Sequence, residues 1–297
     1  MISRYEIKFR VSHEQKVRFL EAARFGLKAD PHGTNACYRV SSVYFDSRNL
    51  DYYWEKVDGV AIRKKLRLRF YGDVERAEDL SDRPCFLELK HRLKDSVYKE
   101  RVRLTAEGTR CILEDARQLH EIRSLVAEED LHQWTTIACL ETLEAAMDFE
   151  AANLITYQRE AWMGQVDGRL RITFDQMAHV YNPDCHGTVN SRFGLPVIPA
   201  GHYVMEVKFN ESFPRWVRDI VSDQNLLPRR FSKYAAGIET LRKVDARCQS
   251  NLWALDAGIG TEGVEEPDVD EQQPIDDSPP IVIPQFGVGL ASPTPIG

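Results

Sequence analysis

Residues 62–70, IRKKLRLRF, alternate: Leu66, Leu68 and Phe70 fall on one side of an extended chain, and Arg63, Lys65, Arg67 and Arg69 fall on the other. A period of two marks a strand with one buried face, because successive side chains point to opposite sides of the pleat. The pattern recurs on either side of this stretch. Tyr5, Ile7, Phe9 and Val11 oppose Glu6, Lys8 and Arg10; Leu87 and Leu89 oppose Glu88, Lys90 and Arg92; Val102 and Leu104 oppose Lys99, Arg101 and Arg103. Further along, Leu170, Ile172 and Phe174 oppose Arg169, Arg171 and Asp175, while Met205, Val207 and Phe209 oppose Glu206 and Lys208. Strands are predicted over 3–11, 37–45, 60–71, 84–93, 96–104, 152–163, 168–181 and 202–210. Helical spacing is read from the Ser12 cap onward, and over 106–117, 130–149, 213–224 and 231–247. Strands outnumber helices, so the expected class is α+β built on a mainly antiparallel sheet.

The second faces of these strands carry the functional signal. With Arg159, two residues after Tyr157, the polar sides named above hold fifteen basic and four acidic groups. An ordinary solvated face mixes signs, and like charges on neighbouring strands repel. Such a face points to an anion site. If the sheet curls with its apolar side outward under the helices, the basic groups line a polar interior that needs a bound anion.

The net charge of −7 over 297 residues conceals this. Nine carboxylates and no Lys or Arg follow Arg247, so positions 1–247 hold 39 basic and 37 acidic residues, a body near +2. The chain divides at about residue 250: 1–250 reads as the folded domain, and 251–297 as an acidic, proline-rich tail expected to be disordered. No apolar run approaches the roughly 20 residues needed to span a bilayer, and the start, MISRYEIKFR, lacks the apolar centre of a signal peptide, so the expected location is cytoplasmic. Six dispersed cysteines and eight scattered histidines make buried, reduced thiols the expectation, not a His or Cys metal cluster. GIGTEG at 258–263 matches a dinucleotide fingerprint in letters, but it follows no predicted strand and sits in an acidic segment.

The segments RYEIKFRV, YRVSSVYFD, GVAIRKKLRLRFYGD, CFLELKHR, VYKERVRL, YQREAW, RITFD, VMEVKFN and RFSKYAAGIE, in that order and spacing from about residue 3 to 245, resemble the VTC domain. That domain is the polyphosphate polymerase catalytic domain of the vacuolar transporter chaperone, a member of the triphosphate tunnel metalloenzyme (CYTH-like) superfamily. The resemblance implies an eight-stranded antiparallel tunnel barrel with a basic interior and helices packed outside. It implies transfer of the γ-phosphoryl of ATP to a polyphosphate chain, with Mn²⁺ or Mg²⁺ as cofactor and ATP and polyphosphate as partners. Carried over by position, Lys8, Arg67, Arg69, Lys90, Lys99, Arg159, Lys208 and Lys233 resemble phosphate ligands, Tyr157 and Ser232 phosphate hydrogen-bond donors, and Glu206 the metal ligand. Lys8, Arg67, Arg69, Lys90, Arg159 and Lys233 are the expected catalytic cations. Arg10, Arg101 and Arg171 join the phosphate-binding set from alternation alone, and Glu6 and Glu88 read as charge partners.

The residue types suit this chemistry in their own right. Arg offers a planar fork to two phosphate oxygens and Lys a compact charge, while phosphoryl transfer asks the protein mainly for positioning and charge stabilisation. Two other functions compete. Triphosphate hydrolases of the superfamily share an ExExK pattern on the first strand, whereas this chain reads Glu6-Ile7-Lys8; a non-enzymatic polyphosphate-binding module has no need of Glu206 as a metal ligand. Nucleic acid is not an expected partner, because an enclosed tunnel excludes bases.

Overall fold

A computed structural model of the protein describes residues 4–72, 83–93, 96–182 and 194–243. The expected tail, 251–297, and the GIGTEG segment lie outside the described residues. The strands are β1 (Arg4–Ser12), β2 (Leu27–Ala29), β3 (Cys37–Ser47), β4 (Ile62–Tyr71), β5 (Cys85–Leu93), β6 (Ser96–Leu104), β7 (Phe149–Gly164), β8 (Arg171–Tyr181), β9 (Leu195–Pro196) and β10 (His202–Asn210). The helices are α1 (His13–Ala23), α2 (Asp51–Val57), α3 (Ala106–Glu114), α4 (Ile122–Leu125), α5 (Trp134–Ala146), α6 (Arg215–Asp223) and α7 (233–243). The class is α+β, and each of the eight expected strands is present within a few residues of its expected bounds.

Among the described residues one ten-stranded sheet contains every strand, in the order β1-β10-β8-β7-β3-β4-β5-β6, with β2 on β7 and β9 on β8. The pairings are antiparallel throughout. The sheet is strongly rolled. β1 and β5 stand near opposite ends of this order, yet Lys90 Nζ on β5 lies 3.6 Å from a Glu6 carboxylate oxygen on β1. The outer edge of β1 is covered by the chain leading into α7: Phe9 bridges Pro228, and the Arg229 backbone N–H donates to the Lys8 carbonyl at 2.8 Å.

The apolar face packs under helices, as the alternation requires. Leu66, Leu68, Phe70, Leu87, Leu89 and Val102 bury against Ile112 of α3, Ile122 of α4 and Ile137 and Leu140 of α5. Phe9, Val11, Phe174, Met205 and Val207 bury against Phe19 of α1 and Val217 of α6. Each such side chain contributes about 1.5–3 kcal/mol of transfer free energy. α1 starts on a reciprocal cap: Ser12 Oγ accepts from the Gln15 N–H at 3.1 Å, and Gln15 Oε1 accepts from the Ser12 N–H at 2.9 Å.

Three features depart from expectation. The helix read over 130–149 ends at Ala146, and Phe149 already opens β7 opposite Ser47, where it is buried. α2 was not expected, because its cap is not beside it in sequence. Asp46 at the end of β3 accepts from the Tyr52 and Tyr53 N–H groups at 2.9 and 3.0 Å. Finally, α7 does not pack outside. Tyr234, Ala235 and Ile238 sit against Val40, Tyr44, Ile155, Tyr157, Val180 and Val204, which share the inner face with the cations. That end of the inner face is apolar, so it buries a helix instead of an anion. Among the described residues no helix is long and apolar enough to cross a membrane.

Candidate functional site

Alternation sets which residues point inward, and the ladders set which meet. Glu6 stands opposite Lys208, and Lys8 opposite Glu206, between β1 and β10; Arg67 stands opposite Glu88 between β4 and β5. A bulge in β8 at Met177, which has φ 50°, shifts the register against β7 and keeps Asp175 beside Arg159 while Ala178 and Val180 face α7. Four carboxylates organise the inner face.

Asp175 is fully buried. It accepts from Arg159 Nε at 2.7 Å and Nη2 at 2.8 Å, a two-point fork, and from Lys233 Nζ at the start of α7. Glu206 accepts from Lys8 and Lys208, each at 2.9 Å, with Arg159 and Lys233 both at 3.6 Å. Glu88 accepts from Arg67 at 2.7 Å and lies 2.5 Å from Lys99 and 3.8 Å from Arg69. Glu6 holds Lys8 at 3.1 Å and Lys90 at 3.6 Å. Burial alone would raise each of these carboxyls, but the surrounding cations outweigh it. Lys8, Lys90 and Lys208 hold Glu6 at about 2, although Glu206 opposes them, and Arg67, Arg69 and Lys99 hold Glu88 at about 2. Lys208, Lys8, Lys233 and Arg159 hold Glu206 well below the usual carboxylate range.

The expected residues are thus brought together, with three qualifications. Tyr157 is buried under Lys233, 4.5 Å from its ring, and its hydroxyl accepts from Arg69 Nη2 at 3.3 Å, so it packs and positions. Arg171 lies on the same face opposite Lys208 but is tied to the buried Asp30 at 2.5 Å and to the Tyr38 hydroxyl at 2.8 Å. Arg10 and Arg101 are exposed and stand at the rim: Arg101 lies 4.7 Å over the Phe86 ring, and Arg10 lines a cavity of about 380 Å³ beside Lys8 with Arg229, Arg230 and Phe231. Ser232 caps α7, accepting from the Ala235 N–H at 3.3 Å, and also accepts from Lys65 Nζ at 2.7 Å.

Asp175 and Lys65, on the polar strand faces but outside the expected site set, also lie at the site. Asp175 is the buried anchor of Arg159 and Lys233, and its place on the polar face with Arg169 and Arg171 is the signal for it in the sequence. Lys65 lies inward with Arg67 and Arg69, and among the described residues its hydrogen-bond partner is Ser232, with no carboxylate within ion-pair distance. Burial, reinforced by Lys90, Lys8 and Arg67, pushes its amine well below the ordinary lysine value. Lys65 is thus held among cations by a hydroxyl, with no carboxylate beside it among the described residues.

A family model described as VTC domain matches residues 3–242. The chain belongs to the VTC domain family. No curated protein matches it. Solved structures similar to this VTC domain include a candidate adenylate cyclase from Bacillus halodurans, 11% identical with TM-score 0.42, covering 77% of this chain and 95% of that one. Another is a candidate adenylyl cyclase from Hippeastrum, described as having a dominant triphosphatase activity; it is 13% identical with TM-score 0.43, covering 80% of this chain and 95% of that one. A third, from Pyrococcus horikoshii, is 14% identical with TM-score 0.34, covering 75% and 86%.

The site of this VTC domain carries its own pH dependence. Desolvation, helped by Arg67 and Arg69 and partly resisted by Glu88, brings the Lys99 amine down to about 8, although its side chain is 41% exposed. A depressed lysine loses its charge as pH rises through that value, so this face loses one positive charge there. Tripolyphosphate affinity is expected to fall between pH 7 and 9, and Lys99→Arg is expected to flatten that fall when dissociation constants are measured by calorimetry across this range.

Proposed function

We propose that this protein is a metal-dependent polyphosphate polymerase that transfers the γ-phosphoryl of ATP to a polyphosphate chain held inside a basic tunnel formed by the rolled sheet. The reading rests on family membership and on one observation: Lys65, Arg67, Arg69, Lys8, Lys90 and Lys99 converge on one face of the rolled sheet whose carboxylates are already neutralised, leaving Lys65 with a hydroxyl in place of a counter-ion. Arg67 and Arg69 present planar forks to non-bridging oxygens, and the lysines supply point charges. A terminal phosphate oxygen of the chain attacks the γ-phosphorus, the bond to the β-phosphate oxygen breaks, and ADP leaves with the electron pair. Charge spreads over the equatorial oxygens, which the cations stabilise without a covalent intermediate.

The carboxylates of Glu206 and Glu6 both reach Lys8 Nζ, at 2.9 and 3.1 Å, and are hard oxygen donors of the kind Mg²⁺ or Mn²⁺ takes one or two at a time. They fit such an ion, which when bound supplies positive charge to phosphate oxygens. Lys8, Lys208 and Lys233, which neutralise Glu206 as the chain stands, are the groups an incoming polyphosphate would engage. Lys8 stands where the related hydrolases carry a further glutamate, which favours a long anion over water activation.

The deciding experiment incubates the purified protein with ATP and Mn²⁺ or Mg²⁺, with and without a short polyphosphate primer, following ADP, free phosphate and chain length together. ADP matched by chain growth is expected. Free phosphate without chains would make the protein a hydrolase, and tight binding without turnover would make it a binding module. Glu206→Gln is expected to keep tripolyphosphate binding and lower metal-dependent turnover by at least about 10²-fold.

A further inference from the structure

The helix-covered face of β5 and β6 holds a second cluster, on the opposite side of the sheet from Glu88 and Lys90. His91 on β5, Glu100 on β6 and Cys139 on α5 each present a ligand atom there, all within 4.8 Å of one another. His91 Nε2 lies 3.7 Å from Glu100 Oε2. In the ladder His91 faces Tyr98 and Glu100 faces Leu89, so the two side chains are diagonal neighbours on one face, and α5 lays Cys139 over them. Glu100 Oε2 is shut off from solvent, and its nearest donors are His91 Nε2 at 3.7 Å and the Cys139 thiol, so it makes no well-formed hydrogen bond. A buried carboxylate oxygen so weakly satisfied favours a cation. Burial lowers the His91 imidazole despite Glu100, and Lys64, opposite it on β4, adds to that. Burial and Glu100 raise the Cys139 thiol.

We propose that His91, Glu100 and Cys139 form a three-ligand site for a Zn²⁺-type ion, separate from the phosphate site. One nitrogen, one oxygen and one sulfur are the donors a borderline-soft ion takes, whereas the tunnel offers oxygens suited to Mg²⁺ or Mn²⁺. Tetrahedral zinc holds its nitrogen and oxygen ligands about 3.3 Å apart, so the His91–Glu100 pair needs to close by only a few tenths of an ångström. The ion binds as the Cys139 thiol releases its proton to solvent, and thiolate plus carboxylate then balance the double charge. The His91 and Glu100 side chains keep 23% and 36% exposure, which gives the ion a path in and leaves a fourth position for water. The site ties α5 to the β5–β6 hairpin.

The test uses the full chain, stripped of metal and titrated with Co²⁺, read by the thiolate-to-cobalt charge-transfer band. One equivalent is expected to bring up the band and Zn²⁺ to bleach it. Cys139→Ser is expected to lose the band, and His91→Gln to weaken Co²⁺ binding at least tenfold, while Glu206→Gln leaves the band in place. If Cys139→Ser does not fold, Glu100→Gln, on a half-exposed side chain, gives the same reading through at least tenfold weaker binding. No band in the wild type, or unaltered titrations in the variants, overturns the site.

Discussion

Arg67→Ala is expected to lower turnover by about 10³-fold, the scale on which a transition-state arginine acts in phosphoryl transfer, while leaving the protein folded. Arg67 is the inner-face guanidinium with the most direct ties: Nε and Nη2 donate to Glu88 at 2.9 and 2.7 Å, and Nη1 donates to the Tyr44 hydroxyl at 3.1 Å. Its removal takes away a fork that matches two phosphate oxygens. Glu88 keeps Lys99 at 2.5 Å and Arg69 at 3.8 Å, so no buried carboxylate is stranded and the fold survives. Arg67→Lys is expected to recover little, because an ammonium cannot make the two parallel contacts. Steady-state turnover beside a melting curve checks this, and unchanged turnover in both variants would sink the tunnel assignment.

Asp175→Ala is expected to destabilise the protein by about 3–5 kcal/mol, the cost of removing one partner from a buried ion pair. The carboxylate is fully buried and engages both Arg159 and Lys233, so its loss strands two cations that must then share Glu206 at 3.6 Å each. For a domain of this size the melting temperature should fall by roughly 10 °C. Tripolyphosphate separates a structural clamp from an anion site. It is expected to restore more of the melting temperature in Asp175→Ala than it adds to the wild type, because the stranded cations gain a partner in the folded state alone. Equal shifts in the two proteins would show that Arg159 and Lys233 do not face the bound anion.

The site was legible in the sequence to the extent that it is written in alternation. Lys8, Arg67, Arg69, Lys90, Arg159 and Lys208 lie on the face the period-two pattern assigns them. Arg169, on the same reading, lies off the site and pairs with Asp167 at 2.9 Å, because β8 begins only at Arg171. Arg103 likewise turns to Glu129 at 3.0 Å. Pattern therefore identified the face and overcounted its members at strand ends, where the pleat no longer fixes direction.

Local side-chain period fixes which side of a strand is apolar, and that alone determined the eight long strands, the antiparallel α+β class and the sign of the inner face. Which partner each cation finds was decided by long-range strand pairing and by the rolling of the sheet: the β1–β10 ladder sets Lys8 opposite Glu206 across 198 positions of sequence, and rolling brings Lys90 to Glu6. The inward seat of α7 on Val40, Ile155 and Val180, and the meeting of His91, Glu100 and Cys139 under α5, have the same origin. Each joins elements with no local relation in the chain, and the closeness of their side chains is a property of packing.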